Sequence, residues 1–585
     1  MIKSALLRTV AVLLLTLETV SATAQYYQMK VRTLDGRLTQ FNVDRIDSIY
    51  FEQVNTNVTE PVNTWSSKSD VENELLNAYI ALKQNCVTRM FVWGEMRSDN
   101  IIEGDIASAD VRGICRENIR SYNDFCQYNA FYDIINRANR VLLFAPQVVN
   151  LDDDYLNDVF LSHKAEAIAL RSLCYWYLIR TFRDVPYITI YDELGYLRLN
   201  TPKSSFESII DSLINDLEYI KNYAILKYPS HSESVYRITK PVIYAMLADM
   251  YLWRGNTDDY DKCIALCEMI TAIKTADYLS LKEERGDNCI VNLFNGYPLI
   301  TDVLDHTPGN SYNEIFGFGG SFESLFEFSY DYVIINPLGQ LFKIYSNSQS
   351  AQIRAFPRIG SGFDPFREWG NEVFEQSQDT RFYQNITDTW DICKYAYCEL
   401  DFKASDGPIL FDKAWVRGNY SSCNWIVYRY TEVLLFEAEA YIMKAMQVSN
   451  DTTMCNEYKD KAFNLIDAVN KRSAVANYNY HKTLTQVIDY SVNTSVDELE
   501  NLLYKERRRE LMFEGKRWFD LVRMARRDGN QNRLLSLVEK KHDSSIMSVL
   551  KIMFKNPYIM YFPLHVDEVR NSQGILVQNP AYGDD

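Results

Sequence analysis

Apolar side chains recur every three or four residues over much of the chain, a spacing that predicts amphipathic α-helices. Such helices are predicted near residue 66 and over residues 125–143, 164–182, 206–222, 241–254, 429–446 and 458–472. Several of these segments combine small alanines with large aromatic residues, as Ala165, Ala169 and Trp176 do. Alanine lets helices approach closely, and the ring fills the remaining gap. The pattern favours a mainly all-α fold with a tetratricopeptide-like core of helix pairs; an irregular all-α domain is the alternative.

Residues 25–53 show a different, extended pattern and predict a small β unit. Met29 and Val31 alternate with polar residues, and Asp35-Gly36 is a tight-turn signal before a second extended stretch at residues 38–41. A third short strand is predicted around Ile46, Ile49 and Phe51. The polar residues 54–64 read as a linker to the helical region.

The helical region divides at a change in composition. Residues 65–284 are predicted as one helical region and residues 285–585 as a second. Within the second, helical periodicity lapses over residues 285–425 and glycines accumulate, residues 426–530 are helical again, and residues 531–585 form a docked tail. Long ordered loops inside a compact domain usually carry function. Trp369, Trp390 and Trp415 lie in this loop-rich part, so we expect them to contact ligand.

The N-terminus has the pattern of a secretory signal peptide, residues 1–24. Lys3 and Arg8 precede a short apolar run at residues 10–17, and Ala22-Thr23-Ala24 is a cleavage pattern. No later run of about 18 apolar residues follows, so we expect an exported protein without a transmembrane span.

Composition narrows the possible partners. The 585 residues carry a formal net charge of −17, which disfavours binding to nucleic acid. The 41 Tyr, 29 Phe and 9 Trp suit sugar rings and peptides, although most aromatic residues are expected to pack between helices. Eleven Cys contain no CxxC pair, which argues against a zinc or thioredoxin-like site. An isolated disulfide and a bound calcium ion both stay open.

Catalytic motifs are missing from the sequence. There is no HExxH, no GxSxG and no phosphate-binding loop, and we expect no cofactor. Glu95 and Asp99 lie four residues apart beside Trp93, and paired carboxylates can hydrolyse glycosides. Two acids on one short helix cannot face each other across a sugar, so a structural role is favoured. If this segment lines a groove, its ligand-binding candidates are Trp93, Arg97, Asp99 and Asn100.

The run from Glu506 to Arg523 is the most distinctive segment. It mixes dense charge of both signs with Leu511, Trp518, Phe519 and Val522 at helical spacing. This pattern predicts a helix with one side in the core and Glu/Arg pairs three and four residues apart on the other. It contains no set of nucleophile, base and orienting group, so it indicates architecture rather than chemistry.

Several segments together resemble the SusD/RagB family, surface nutrient-binding proteins of Bacteroidetes. The similarity spans about residues 66–582 in the family's order and is carried by residues 78–79, 93–100, 132–139, 164–171, 182–186, 323–327, 428–440, 506–523 and 578–582. It implies four tetratricopeptide-like helix pairs with an irregular loop-rich part that shapes the ligand site.

The resemblance also implies a function. Such proteins cap a TonB-dependent outer-membrane transporter of the SusC type and deliver a glycan or peptide without catalysis. Family members usually carry a lipid-anchored Cys after the apolar run, whereas the first Cys here is Cys86, which puts a lipid anchor in doubt. The alternatives are a secreted helical glycosidase or lyase, and a helical scaffold that binds only protein.

Overall fold

The computed structural model describes residues 28–32, 38–42, 64–301, 310–330, 351–359, 372–374, 379–386, 391–392, 394–395, 398–403, 410–416, 424–473, 476–477, 482–483, 488 and 490–583. The chain divides into two compact units, Met1–Asn63 and Thr64–Asp585. In the first unit, β1 (Gln28–Arg32) pairs antiparallel with β2 (Leu38–Asn42). This pairing confirms the predicted N-terminal hairpin. The predicted third strand and nearly all of the predicted linker lie outside the described residues.

The second unit is built mainly from helices. In chain order they are α1 (Lys68–Asn85), α2 (Val87–Glu95), α3 (Ala109–Cys115), α4 (Asn129–Val148), α5 (Asn157–Phe182), α6 (Leu197–Asn200), α7 (Phe206–Ile220), α8 (His231–Tyr236), α9 (Lys240–Arg254), α10 (Asp259–Arg285), α11 (Asn310–Tyr312), α12 (Arg381–Gln384), α13 (Tyr430–Gln447), α14 (Thr452–Arg472), α15 (Val496–Leu511), α16 (Arg517–Asp528), α17 (Asn532–Val538), α18 (Met547–Met553) and α19 (Val566–Asn571).

The strands of the second unit are short and pair two by two, always antiparallel. The pairs are β3 (Ile101–Glu103) with β9 (Ile353–Ala355), β4 (Val185–Pro186) with β5 (Lys203–Ser204), β6 (Val291–Phe294) with β7 (Tyr297–Ile300), β8 (Ser324–Phe328) with β12 (Trp425–Arg429), β10 (Cys398–Lys403) with β11 (Leu410–Val416), and β13 (Ala476–Asn477) with β14 (Lys482–Thr483).

Local sequence explains where individual helices begin and end. The Ser205 hydroxyl accepts a hydrogen bond from the backbone N–H of Ser208, which caps the start of α7. Helix α15 begins with a capping box between Ser495 and Glu498. Helix α9 ends at Gly255, whose φ of +69° is a left-handed conformation that glycine adopts without strain.

Helix pairs form the core and confirm the tetratricopeptide-like prediction. Helix α4 packs against α5, α9 against α10, and α13 against α14. Ala165, Ala169 and Trp176 of α5 are fully buried, as the spacing predicts. The Trp176 indole N–H donates to Asp249 Oδ2 of α9 at 2.8 Å, so the polar edge of the buried ring is also satisfied.

The distinctive run near the C-terminus is not one helix, which corrects the prediction. Helix α15 ends at Leu511 and α16 begins at Arg517. The connection turns sharply, with φ of +64° at Phe513 and +71° at Gly515. It lies so close to α2 that a Cβ atom on Gly94 would stand 1.8 Å from the carbonyl oxygen of Gly515. Regular spacing of apolar residues on both sides of Gly515 hides this break.

The charged side of the run is buried as well. Arg523 forms two hydrogen bonds to Glu439 of α13, at 2.9 and 2.6 Å, and Arg527 donates to the same carboxylate at 2.9 Å. Arg507 pairs with Asp520 at 2.7 Å. Burial alone would raise the pKa of Glu439, but the two guanidinium groups outweigh it and hold the pKa well below its usual range. These charges join helices to each other rather than facing water.

Eight cysteines are buried, which agrees with the prediction that most of the cysteines are small buried hydrophobic residues. Cys86, Cys115, Cys126, Cys174, Cys263, Cys267, Cys289 and Cys455 are free thiols in this structure.

Candidate functional site

The segment 93–100, which carries four of the predicted ligand contacts, lies inside the protein. Trp93 is fully buried, stacks on Phe131 with ring centroids 4.9 Å apart, and donates its indole N–H to the Phe125 carbonyl at 2.8 Å. The Asn100 amide donates to Glu95 at 2.8 Å and accepts from Arg508 at 2.7 Å. Both side chains therefore have protein partners.

Arg97 anchors a segment close to the C-terminus. Its guanidinium pairs with Glu117 at 2.6 Å and donates to the carbonyl oxygens of Ile559 and Met560 at 2.8 and 2.9 Å. It also lies 4.1 Å above the Trp518 ring. A planar group with several donors is needed to make all these contacts at once.

Asp99 and Glu95, the pair considered for acid–base chemistry, are buried, and both bind other groups of the protein. Asp99 pairs with Arg517 at 2.8 Å and Arg508 at 3.0 Å; burial opposes ionisation, but these cations lower the pKa of Asp99. Burial raises the pKa of Glu95 to about 7, although the carboxylate accepts from Asn100 and from the backbone N–H of Phe513. Neither acid faces a cleft, so we infer that residues 93–100 serve to join α2 to the C-terminal helices.

The three tryptophans of the loop-rich part are only partly located. Trp369 and Trp390 lie outside the described residues. Trp415 is on β11, opposite Glu399 of β10 in the strand register. Their predicted contact with ligand stays a prediction.

A buried cluster of oppositely charged side chains connects the loop-rich part to α14 and α15. Arg429, at the end of β12, pairs with Glu510 at 2.6 Å and Glu514 at 2.8 Å. Arg381 of α12 pairs with the same Glu510 at 2.8 Å and with Glu506 at 2.7 Å. The remaining members that contact these groups are Glu323, Asp379, Lys394, Arg472 and Arg509.

Electrostatics show how this charge cluster is balanced. Burial would raise the pKa of Glu510, but the surrounding Arg472, Arg429, Arg381 and Lys394 hold it well below its usual range. Burial lowers the pKa of Lys394 to about 8 even though Glu514 is 2.7 Å away. The groups are each satisfied by several partners, the condition under which buried charges are tolerated. The cluster thus fixes β8, β12 and α15 relative to one another.

The π-helix and the glycine turn that precede β8, residues 313–320, form a surface that was not predicted as a site from the sequence. The π-helix spans Asn313–Phe318, and the Phe318 side chain is 59% exposed. Gly319 follows with φ of +73°, and a Cβ there would lie 2.3 Å from Asn424 Nδ2. π-Helical turns occur frequently at functional sites. We call this surface the Phe318 rim.

Side chains beneath the rim fix its shape. The Gly320 N–H donates to Glu327 at 2.8 Å, and the Asn424 amide donates to the same carboxylate at 2.9 Å. His231 of α8 donates from Nε2 to the Gly320 carbonyl at 2.7 Å. Burial raises the pKa of Glu327. The only sequence signal for this rim was the glycine-rich Gly317-Phe318-Gly319-Gly320, which by itself indicated a loop.

Comparison with known proteins agrees with this architecture. The model of the SusD family matches residues 370–582. SusD-like protein P38 of Formosa agariphila is 24% identical over 477 residues, which are 78% of this chain and 84% of that protein. SusD-like protein P2 of the same organism is also 24% identical, over 80% of this chain and 86% of that protein. The chain is therefore similar to the SusD family, through the family model at residues 370–582 and through curated relatives over about four fifths of its length.

Solved structures of SusD proteins share the fold over nearly the whole chain. A SusD superfamily protein from Bacteroides thetaiotaomicron aligns with a TM-score of 0.59 at 18% identity, covering 89% of this chain and 100% of that one. A laminarin binding SusD-like protein aligns with a TM-score of 0.56 at 18% identity, covering 88% of this chain and 100% of that one. The SusD family match at residues 370–582 contains most of the buried charge cluster.

The described part of the chain contains neither a bilayer-spanning helix nor a metal-binding group of side chains. Among those residues no helix combines the length and apolarity needed to span a bilayer. Likewise, no group of three or more His, Cys, Asp or Glu residues there is placed to hold a metal ion.

Proposed function

We propose that this SusD-like protein captures an oligosaccharide at the outer-membrane surface and delivers it to a TonB-dependent transporter of the SusC type. Similarity to the SusD family carries the proposal. The signal-peptide pattern of residues 1–24 supports export. A structural neighbour described as laminarin binding supports a glycan rather than a peptide as the ligand.

The Phe318 rim and the three tryptophans of the loop-rich part are the proposed contact surface. Sugar rings present apolar C–H faces, and a flat aromatic ring gains dispersion contacts with such a face without strained geometry. Phe318 is exposed on a turn whose backbone is fixed from below by Glu327, Asn424 and His231. A turn whose backbone is already fixed loses little conformational entropy when ligand binds. Contact of Trp369, Trp390 and Trp415 with the ligand is a separate part of the proposal.

Binding without turnover is the second part of the proposal. The acid pair noted in the sequence, Glu95 and Asp99, is 0% and 2% exposed and bound to protein groups. Acid–base hydrolysis needs two carboxyl groups that face each other across the substrate. That pair is therefore a poor candidate for the alternative function, a glycosidase or lyase.

Calorimetric titration of the mature protein with laminarin and a panel of other oligosaccharides tests capture. We expect saturable binding of at least one glycan and a loss of about tenfold in affinity for Phe318→Ala, equivalent to about 1.4 kcal/mol. Tyr122→Ala is the matched control, because Tyr122 is an aromatic residue 63% exposed outside the rim. Equal loss in both variants would contradict the assignment of the rim, and binding of peptides alone would contradict the glycan.

Two further measurements test the remaining parts. Chromatography of each glycan after long incubation should show no new products, and reproducible cleavage would favour the enzyme alternative. Affinity purification from the native membrane should recover a TonB-dependent transporter with the protein. Recovery of the protein alone under conditions that preserve known transporter complexes would count against delivery.

A further inference from the structure

A cavity that shares no residue with the Phe318 rim lies between α10, α13, α14 and the β6–β7 hairpin. Its volume is about 390 Å³, within the range that holds a small molecule. The side chains that line it include Glu268, Tyr297, Glu437, Tyr441, Lys461 and Asn464.

Glu437 is the unusual member of this cavity. The residue is only 4% exposed, and its buried Oε2 has no hydrogen-bond partner among the described residues. Glu439, two residues further along α13, points elsewhere and is fully paired with Arg523 and Arg527. Leaving a buried carboxylate without a partner is costly, and an apolar side chain would pack at lower cost. Helix packing therefore does not account for an acid at position 437.

The charged side chains that line the cavity are two acids, Glu268 of α10 and Glu437, and one base, Lys461. Burial and the negative charge of Glu268 raise the pKa of Glu437 to about 8. Burial and the charge of Glu437 raise the pKa of Tyr297 to about 12. Lys461 of α14 is already occupied, because its ammonium pairs with Glu457 at 2.7 Å and lies 5.5 Å from the centre of the Tyr441 ring.

We propose that this cavity binds the ammonium group of a small organic cation, with Glu437 and Glu268 as its anionic partners. Two carboxylates beside tyrosine rings match the recognition of alkylammonium groups, which gain from both charge and ring faces. A lysine side chain presented by a peptide is a ligand of this class. The proposal is independent of glycan capture, since the cavity and the Phe318 rim share no residue.

Cation binding should be linked to proton release. An ammonium group at Glu437 favours the ionised carboxylate, so a carboxyl group that is mostly protonated at pH 7 gives up its proton when the ligand enters. The affinity for a permanently charged ligand should therefore rise between pH 6.5 and pH 8.5. Three tyrosines interact with Glu437, and burial raises the pKa of Tyr297, Tyr430 and Tyr441 above this pH range. The other charged side chains that line the cavity are Glu268 and Lys461.

The test compares two ligands that differ by the terminal ammonium group, Nα-acetyl-lysine methylamide and Nα-acetyl-norleucine methylamide. Calorimetry on the mature protein should show binding of the lysine compound with release of about one proton at pH 7. The norleucine compound should not bind. Glu437→Gln, which preserves size, should weaken binding of the lysine compound at least tenfold and abolish proton release. Glu268→Gln should weaken it severalfold and reduce proton release without abolishing it, because one of the two causes that keep Glu437 protonated is removed while its burial remains.

Glu283→Gln is the control, because Glu283 is an exposed acid on the same helix, α10, outside the cavity. Its binding should equal that of the unmodified protein, and the melting temperature of each variant checks the fold. Absence of binding by the unmodified protein, equal binding of norleucine, or unchanged binding by Glu437→Gln would each overturn the proposal. Displacement of the lysine compound by calcium at equal concentration would also overturn it, in favour of a metal site.

Discussion

Replacing Gly94 by alanine tests the close contact between α2 and the turn that joins α15 to α16. In most helices this substitution stabilises, by about 1 kcal/mol, because alanine has the higher helix propensity. Here the added Cβ would lie 1.8 Å from the carbonyl oxygen of Gly515 and 3.0 Å from the Phe519 ring. The nearer atom belongs to the backbone, so no change of side-chain rotamer can relieve the overlap. We therefore expect the usual sign of the effect to be reversed.

The size of the effect follows from the two opposing contributions. Overpacking in a well-packed core costs about 1–3 kcal/mol and sometimes more. A separation of 1.8 Å requires α2 or the turn to move by more than 1 Å, which places the cost at about 3 kcal/mol. After subtracting the gain in helix propensity, Gly94→Ala should destabilise the protein by about 2 kcal/mol, or roughly 2 °C in melting temperature for a folded unit of this size.

Thermal unfolding followed by circular dichroism measures this difference. Gly583→Ala is the control, because a Cβ on Gly583 would meet no atom within 4 Å and its melting temperature should be unchanged. A melting temperature for Gly94→Ala equal to or above that of the unmodified protein would refute the close contact between α2 and the turn.

Three further predictions concern buried charge. Glu439→Gln should lower the free energy of unfolding by about 3 kcal/mol at pH 7, because Arg523 and Arg527 lose the carboxylate they share and keep only Asp520 and Glu500 as anionic partners. Because the pKa of Glu439 is lowered in the folded protein, its contribution to stability falls progressively as the pH drops below the ordinary glutamate pKa of about 4.5. The difference between the two proteins should therefore be smaller at pH 4 than at pH 7, as measured by urea unfolding at both pH values. Arg97→Lys should cost about 2 kcal/mol in the same assay, because one ammonium cannot replace the guanidinium contacts, and an unchanged midpoint would contradict this. Burial lowers the pKa of His163 to about 4, so His163→Gln should reduce the loss of melting temperature between pH 6.5 and pH 4, and parallel pH profiles would argue against it.

Helices were predictable because burial on one face imposes a 3.6-residue period on the sequence. Helix α9 lies at Lys240–Arg254, close to the predicted residues 241–254. The starts of α5 at Asn157 and α14 at Thr452 lie before the predicted boundaries, because their first turns begin with two polar residues and give too few apolar positions to establish the helical period. The turn at Gly515 was missed because apolar spacing continues across it.

The surroundings of charged residues were much less predictable. Charges in a helical pattern usually face water, and the sequence gives no sign that Asp99 pairs with Arg517, more than 400 positions away. Such partners are set by tertiary packing and leave no periodic signal. The Phe318 rim escaped notice for a related reason, since a phenylalanine among glycines looks like any loop until the fold shows it exposed.

The buried charge cluster also limits how the protein can be divided. Its members come from positions between Glu323 and Glu514, and Arg381 and Arg429 meet Glu510 only when α15 is in place. A fragment that stops before Glu506 would enclose these guanidinium groups with only Asp379 and Glu323 to neutralise them. Chimaeras between relatives should therefore exchange this entire stretch as one block, and a chain interrupted by an early stop codon should be cleared by proteases rather than persist as a half-folded receptor.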